Sequence, residues 1–369
     1  MVRAPGSYAS ATKMTTTMEG DLPVVDASQL SALTETSSVS EALAVKGGAA
    51  KAAVPVENSL KKRLEIGTYF FLWYALNVGY NITNKKTLNA ISFPWTLSVV
   101  QLVVGSLFVL PLWGLRLRKA PGLSMQNIKT LSPIALCHML SHVCAVIGLG
   151  AGAISFVHIV KAGEPLFTAL FSAVFLKQIF SPLVYATLIP VVAGVGIASL
   201  KELDFKWLAL GGAMGSNIAA SSRAILAKRS MGMDKGKNMD AANLYAVLTI
   251  LASLMLLPLS AAVEGPRVKE LWDAAILAGT TSKEIIYGSV SSGVFFYLYN
   301  EVAFRCLDVV HPVTHAVGNT FKRVFLIATS IIFFKTSLTP MSFFGSVLAI
   351  GGVLLYSLAK EASVKKASA

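Results

Sequence analysis

Lysine and arginine stand side by side at Lys322-Arg323, inside the run Thr314-His-Ala-Val-Gly-Asn-Thr-Phe-Lys-Arg-Val-Phe-Leu-Ile-Ala-Thr-Ser-Ile-Ile-Phe-Phe334. A fixed cation at the centre of a membrane-spanning helix costs roughly 2.5–3.5 kcal/mol on insertion scales. Two together are tolerated only where they face protein, water or an anion. The chemistry on offer is anion binding: arginine brings a planar fork that grips two oxygens, lysine a compact point charge. His315 and Asn319 fall on adjoining positions of the same helical surface.

A second group lies in an earlier apolar run, where His158, Lys161 and Glu164 follow at three-residue steps with Pro165 next. His158 and Lys161 share a helical face that Pro165 and Thr168 extend. Glu164, one turn from Lys161, either pairs with it or balances the charge of an empty site. Tyr299 and Asn300 offer hydrogen bonds from a later run, and Glu301 beside them has a partner within reach in Arg305. Arg223, next to Ser221-Ser222, either lines a pathway or reaches a basic surface. His138 and His142 are one turn apart, but no third ligand is spaced to complete a zinc site. No metal and no cofactor are therefore expected, and His142 reads as a hydrogen-bonding or substrate-facing group. Asn77, Asn81 and Asn84 stripe one helical face, a pattern suited to hydrogen bonds between helices. Cys137, Cys144 and Cys306 fit neither a zinc nor a disulfide pattern and read as packing residues.

The elements that must position these residues are membrane helices. Of 369 residues, 54% are hydrophobic and only 14% charged, and mean hydropathy is +0.64, against about 25% charged in a soluble globule. The net charge of +13 gathers between apolar runs, where orientation signals belong, with no aromatic-basic motif for nucleic acid. Residues 1–66 read as a flexible tail or targeting region, too acidic for a typical transit peptide and lacking a signal-peptide core. Beyond them, runs of about 20 residues, enough to cross ~30 Å of hydrocarbon, fall near 68–88, 94–115, 129–149, 153–176, 182–200, 206–227, 241–262, 284–306, 312–334 and 340–358. Glycines at 148, 150 and 152 mark a tight turn between the third and fourth.

Phe175-Leu-Lys-Gln-Ile-Phe-Ser-Pro182 matches Phe333-Phe-Lys-Thr-Ser-Leu-Thr-Pro340, and the same offset carries Gly194-Val195 onto Gly352-Val353 and Ser199-Leu200 onto Ser357-Leu358. The fold class is thus an all-α membrane protein of about ten transmembrane helices in two five-helix repeats, 67–202 and 203–361, with a basic tail at 362–369. Five is odd, so the second repeat enters the membrane inverted, an arrangement that puts a transporter's site near the midplane. Lys322 falls at the position equivalent to Glu164, which sets the two cationic clusters at matching depth. Loop cations around 61–63, 116–119, 228–237 and 365–366 outweigh Lys85-Lys86 and Arg267/Lys269, which orients both termini toward the cytosol-like side. No paired-carboxylate motif, phosphate-cradling glycine loop or ectodomain favours an enzyme or receptor.

At Tyr69-Phe-Phe-Leu-Trp-Tyr-Ala-Leu-Asn-Val78 with Asn84-Lys-Lys86, Ser155-Phe-Val-His-Ile-Val-Lys-Ala-Gly-Glu-Pro165, Val263-Glu-Gly-Pro266, Leu298-Tyr-Asn300 and His311-Pro-Val-Thr-His-Ala-Val-Gly-Asn-Thr-Phe-Lys-Arg323, the chain resembles the plastidic phosphate translocators of the drug/metabolite transporter superfamily. The resemblance implies ten helices and exchange of inorganic phosphate for phosphorylated metabolites. It assigns phosphate contacts to Lys161, Lys322 and Arg323, with help from His142 and Tyr299; His158 and Asn319 follow as secondary contacts, and Glu164 and Arg223 as gating or charge-balancing groups. Triose-phosphate members carry a hydroxyl residue where this chain has Ala145, and usually His where it has Tyr297. Thr314-His315-Ala-Val-Gly-Asn is similar to the triose-phosphate and phosphoenolpyruvate branches, whereas Lys161-Ala-Gly-Glu-Pro is closer to the hexose- and pentose-phosphate branches. The expected partners are phosphate, a phosphorylated three-carbon metabolite and the bilayer, with the protein a monomer or weak dimer in the plastid envelope. Phosphoenolpyruvate or hexose/pentose-phosphate exchange, and a nucleotide-sugar transporter of the Golgi or ER, are the alternatives.

Overall fold

Among the described residues, apolar runs interrupted by proline and glycine become thirteen helical segments. The computed structural model describes residues 60–368 apart from 201, 204, 232, 311, 337 and 338, so the expected N-terminal tail falls almost wholly outside the described residues. The segments are α1 (Leu60–Ala90), α2 (Pro94–Gly114), α3 (Met125–Ala151), α4 (Ile154–Lys161), α5 (Glu164–Phe175), α6 (Pro182–Ala186), α7 (Leu188–Leu200), α8 (Trp207–Arg229), α9 (Ala241–Val263), α10 (Gly265–Leu277), α11 (Ser282–Val309), α12 (Pro312–Phe334) and α13 (Pro340–Ser368). α4 and α5 are halves of one broken rod, as are α6 and α7. α10 is short and amphipathic, with Arg267–Glu270 and Lys269–Asp273 pairs on its exposed face. The remaining rods match the ten expected spans, and the chain is an all-α membrane protein.

Helix ends follow local chemistry. A capping box of Ser124 with Asn127 starts α3, another of Thr281 with Glu284 starts α11, and Asp240 accepts from the Asn243 amide at α9. The tight turn expected at the glycines is present, with Gly152 capping α3 just before α4. Lys85-Lys86, counted among the loop charges, lie near the end of the first expected span and inside α1. Lys85 Nζ donates to the carbonyls of Leu149, Gly150 and Gly152 at 2.8, 3.3 and 2.9 Å. It satisfies acceptors that the end of α3 leaves without helical partners.

By length and apolar content alone, seven rods qualify as spans: α2, α3, α4–α5, α6–α7, α9, α12 and α13. α1, α8 and α11 have 31, 23 and 28 residues, long enough to cross, but are more polar. Large apolar side chains on the outside, among them Phe71, Leu107, Ile189, Leu254, Ile332 and Phe343, suit a bundle whose solvent is lipid.

The repeat is visible in three dimensions. Lys177 and Lys335, equivalent residues of the two copies, both adopt left-handed backbone, with φ of 52° and 51°. Where α7 packs on α13, a Cβ on Gly194 would lie 2.4 Å from the Ala349 amide nitrogen, and one on Gly352 would lie 2.8 Å from the Val191 side chain. The repeat offset converts the first of these contacts into the second. Exchanging the halves also turns the α3–α8 pair into α11–α1, while α2–α9 and α7–α13 map onto themselves. Gly194→Leu is accordingly expected to prise α7 from α13. Overpacking alone costs about 1–3 kcal/mol, so a drop in unfolding temperature and loss of the detergent-stable protein on size exclusion is the expected outcome.

Candidate functional site

Polar side chains from both halves converge on one cavity between the helices. α1 contributes Trp73, Asn77 and Asn81; α3 contributes His138, Ser141, His142 and Ala145; the α4 break contributes His158 and Lys161. From the second half come Ser216 and Arg223 of α8, Tyr299 of α11, and Lys322 and Arg323 of α12. Asn319, Glu164, His315, Asn84 and Glu301, all singled out from sequence, are not in the lining. Asn319 is buried on α12 beside the two cations, and Glu164 stands immediately behind Arg323.

Each cation in this cavity is held by a different neighbour. Lys161 Nζ donates to Ser216 Oγ at 2.5 Å. Arg223 Nη1 meets His138 Nδ1 at 2.9 Å. Lys322 Nζ lies 4.8 Å from the centroid of the Trp73 ring, which also stacks on His315 at 4.6 Å. The indole face attracts a cation through its quadrupole. Arg323 Nη2 is 3.5 Å from Glu164 Oε2, both side chains under a tenth exposed. Glu164 thus pairs across the halves with Arg323, while Lys161, one turn from it in sequence, turns instead to α8. The cause is the break: α4 ends at Lys161 and α5 begins at Glu164 with Pro165 in its first turn, so the two residues no longer share a continuous helical face.

Polar residues in and around the lining are tied to one another within and between helices. His158 Nε2 and Asn81 Oδ1 are 2.9 Å apart, and Asn81 donates to Asn77 Oδ1 at 3.0 Å. Gln101 Nε2 donates to Asn84 Oδ1 at 2.7 Å. The asparagine stripe therefore links α1 to α4 and to α2. His142 packs against Phe296 at 4.0 Å, and its Nε2 is buried with no hydrogen-bond partner among the described residues. Tyr299 stands against Tyr80 and Phe296. Asn300 Nδ2 is used on the Phe296 carbonyl at 2.9 Å. Glu301 pairs with Arg305, as expected, and also with Arg118. Glu264, in the quoted Glu-Gly-Pro motif, accepts from the Trp95 and Thr96 amides at 3.0 and 2.7 Å, which joins the end of α9 to the start of α2. No cluster of three His, Cys, Asp or Glu suited to a metal occurs among the described residues.

Sequence reasoning missed Ser216 and Ser141. Ser141 Oγ lies 3.2 Å from Ser216 Oγ and donates to the Ser216 carbonyl at 3.1 Å. The only signal was a serine within a Gly- and Ala-rich apolar run, which ordinarily marks close helix packing. Here it marks that as well: a Cβ on Gly212 of α8 would lie 2.6 Å from the Gly148 amide nitrogen of α3.

Cations from both halves thus meet at one cavity, an arrangement chemically suited to holding an anion. The model of the Triose-phosphate Transporter family matches residues 64–357. The chain belongs to that family. It is similar to glucose-6-phosphate/phosphate translocator 1 of Arabidopsis thaliana, 41% identical over 84% of this chain and 79% of that protein. Against the triose phosphate/phosphate translocator of Solanum tuberosum it is 40% identical, over 81% and 71%. Against phosphoenolpyruvate/phosphate translocator 1 of Arabidopsis thaliana it is 36% identical, over 84% and 75%. All three relatives are chloroplastic. As a member of the Triose-phosphate Transporter family this chain is a multi-pass transporter of the plastid envelope and not an enzyme.

Proposed function

We propose that this transporter exchanges inorganic phosphate for a phosphorylated three-carbon metabolite, triose phosphate or 3-phosphoglycerate, by alternating access. The observation that carries the reading is electrostatic. Lys161, Arg223, Lys322 and Arg323 surround one cavity, and Glu164 is the carboxylate beside them. Such an excess of positive charge in a low-dielectric bundle resists enclosure until an anion offsets it. Lys161 from one half and Lys322 and Arg323 from the other act as a clamp on the phosphate that both substrates share. Arg323 grips two oxygens, and the lysines add point charge. His142 and Tyr299 add secondary contacts to the bound phosphate, His158 and Asn319 support the two arms of the clamp, and Arg223 sets the charge at the His138 end. The run Thr314-His315-Ala-Val-Gly-Asn, similar to the triose-phosphate and phosphoenolpyruvate branches, favours a three-carbon substrate.

A hexose phosphate is the second reading. Ala145, which lines the cavity next to His142, has no hydroxyl, and one of the similar proteins is named for glucose 6-phosphate. Exchange of labelled phosphate from loaded liposomes against triose phosphate, 3-phosphoglycerate, phosphoenolpyruvate and glucose 6-phosphate separates the readings. The three-carbon reading expects the first two to exchange fastest. Faster exchange with glucose 6-phosphate reverses the assignment.

A further inference from the structure

We infer that Ser216 is a positioning residue for phosphate exchange: its hydroxyl sets the direction of the Lys161 ammonium, and Ser141 sets the hydroxyl. The inference rests on the proposed role of Lys161 in phosphate binding. The chain of contacts begins at a break in a helix, the least constrained place from which a flexible lysine could project. Lys161 is the last residue of α4, and its side chain has four rotatable carbons to fix before it can meet an anion. Ser216 on α8 accepts from its Nζ at 2.5 Å. An ammonium has three donors, so one is spent on the serine, and two remain for oxygens in the cavity that Lys161 and Ser216 both line.

Ser216 is itself fixed. It is fully buried, and Ser141 of α3 reaches both its hydroxyl and its carbonyl. α3 and α8 meet glycine to glycine at Gly148 and Gly212, a contact too close to slide without strain. The neighbouring α8 residue holds the backbone of the same break: Asn217 Nδ2 donates to the Val160 carbonyl at 2.9 Å. That carbonyl also accepts the Gly163 amide at 3.0 Å in the break, so Asn217 is a second donor that ties the break to α8. Ser216 and Asn217 thus hold the head group of Lys161 and the peptide carbonyl just before it. On the other arm of the clamp, Lys322 and Arg323 project from the interior of the unbroken α12 and need no such splint.

A lysine already held in place gives up less freedom when an anion arrives, and freezing such a side chain costs about 2- to 12-fold in affinity. Ser216→Ala should therefore raise the KM for phosphate about 3- to 10-fold and leave the maximal exchange rate within about twofold. A loss of uniform binding has this signature. The KM for 3-phosphoglycerate should rise by the same factor, because the phosphate group is common to both. Ser216→Cys, similar in size but a poor acceptor, should behave like Ser216→Ala. Ser216→Thr, which keeps the hydroxyl, should restore the wild-type KM, and Ser141→Ala should give a smaller rise. The experiment is homoexchange of labelled phosphate in proteoliposomes for wild type and the four variants, with unfolding temperature measured on each. If the alanine variant fails to fold, the cysteine and Ser141 variants carry the test. An unchanged KM in the folded variants, or a fall in maximal rate at constant KM, overturns the positioning role. Absence of phosphate exchange by the wild-type protein overturns the transport reading itself, and the inference with it.

Discussion

Arg323→Ala abolishes exchange in the expected result, and it does so twice over. The substitution removes the planar donor that grips phosphate, and it strands Glu164, whose Oε2 has Arg323 at 3.5 Å as its ion-pair partner. Breaking a buried pair by deleting one side costs about 3–5 kcal/mol, so the variant should also unfold at a lower temperature. The two effects can be separated. Arg323→Ala combined with Glu164→Gln should regain much of the lost stability and none of the exchange. Arg323→Lys should exchange poorly, because a point charge does not replace a fork. Measured together, exchange rate and unfolding temperature check the argument; an alanine variant that exchanges near the wild-type rate would remove Arg323 from the centre of the site.

Glu164→Gln carries the second large effect, and it runs the opposite way for binding. In the empty cavity Glu164 is the internal anion that occupies Arg323. Neutralising it frees the guanidinium for phosphate and leaves the four cations uncompensated. The empty variant should be destabilised by several kcal/mol, within the ~3–5 kcal/mol range for a buried unpaired charge, while added phosphate should restore more stability than it gives the wild type. Ligand that binds only the folded state stabilises it by mass action. Thermal unfolding across a phosphate titration reads both. A variant with wild-type stability and an unchanged phosphate response would show that Glu164 does not act as the stand-in anion.

How much of this was legible in the sequence depended on periodicity and charge. Apolar runs of membrane length announced ten spans, and the repeat around Lys177 and Lys335 held because both residues end their rods in the same left-handed turn. Hydropathy alone would have lost three rods. α1, α8 and α11 fall short in part because they line the cavity, with Asn77, Asn81, Ser216, Arg223 and Tyr299 among their residues. Lys322 and Arg323 stood out as charges where lipid forbids them. Partner choice was not legible. Spacing along one helix left open whether Glu164 pairs with Lys161 or balances the site's charge; the break after Lys161 sends one side chain to α8 and the other to α12. Ser216 gave no signal, since a serine at a tight helix contact looks the same whether or not a lysine rests on it. Lys85-Lys86 were read only as charges that orient the chain, and the contact by which Lys85 closes the end of α3 had no signal in the sequence.

The central claim is that this cavity crosses the membrane only when an anion offsets its cations. A ligand drives such a step only through its different affinity for the states involved, and here the difference is the neutralisation of Lys161, Arg223, Lys322 and Arg323. The most direct measurement is uptake of labelled phosphate by sealed liposomes carrying the protein, with and without phosphate trapped inside. The account predicts rapid uptake into loaded liposomes and none above background into empty ones. Comparable uptake into both would contradict it.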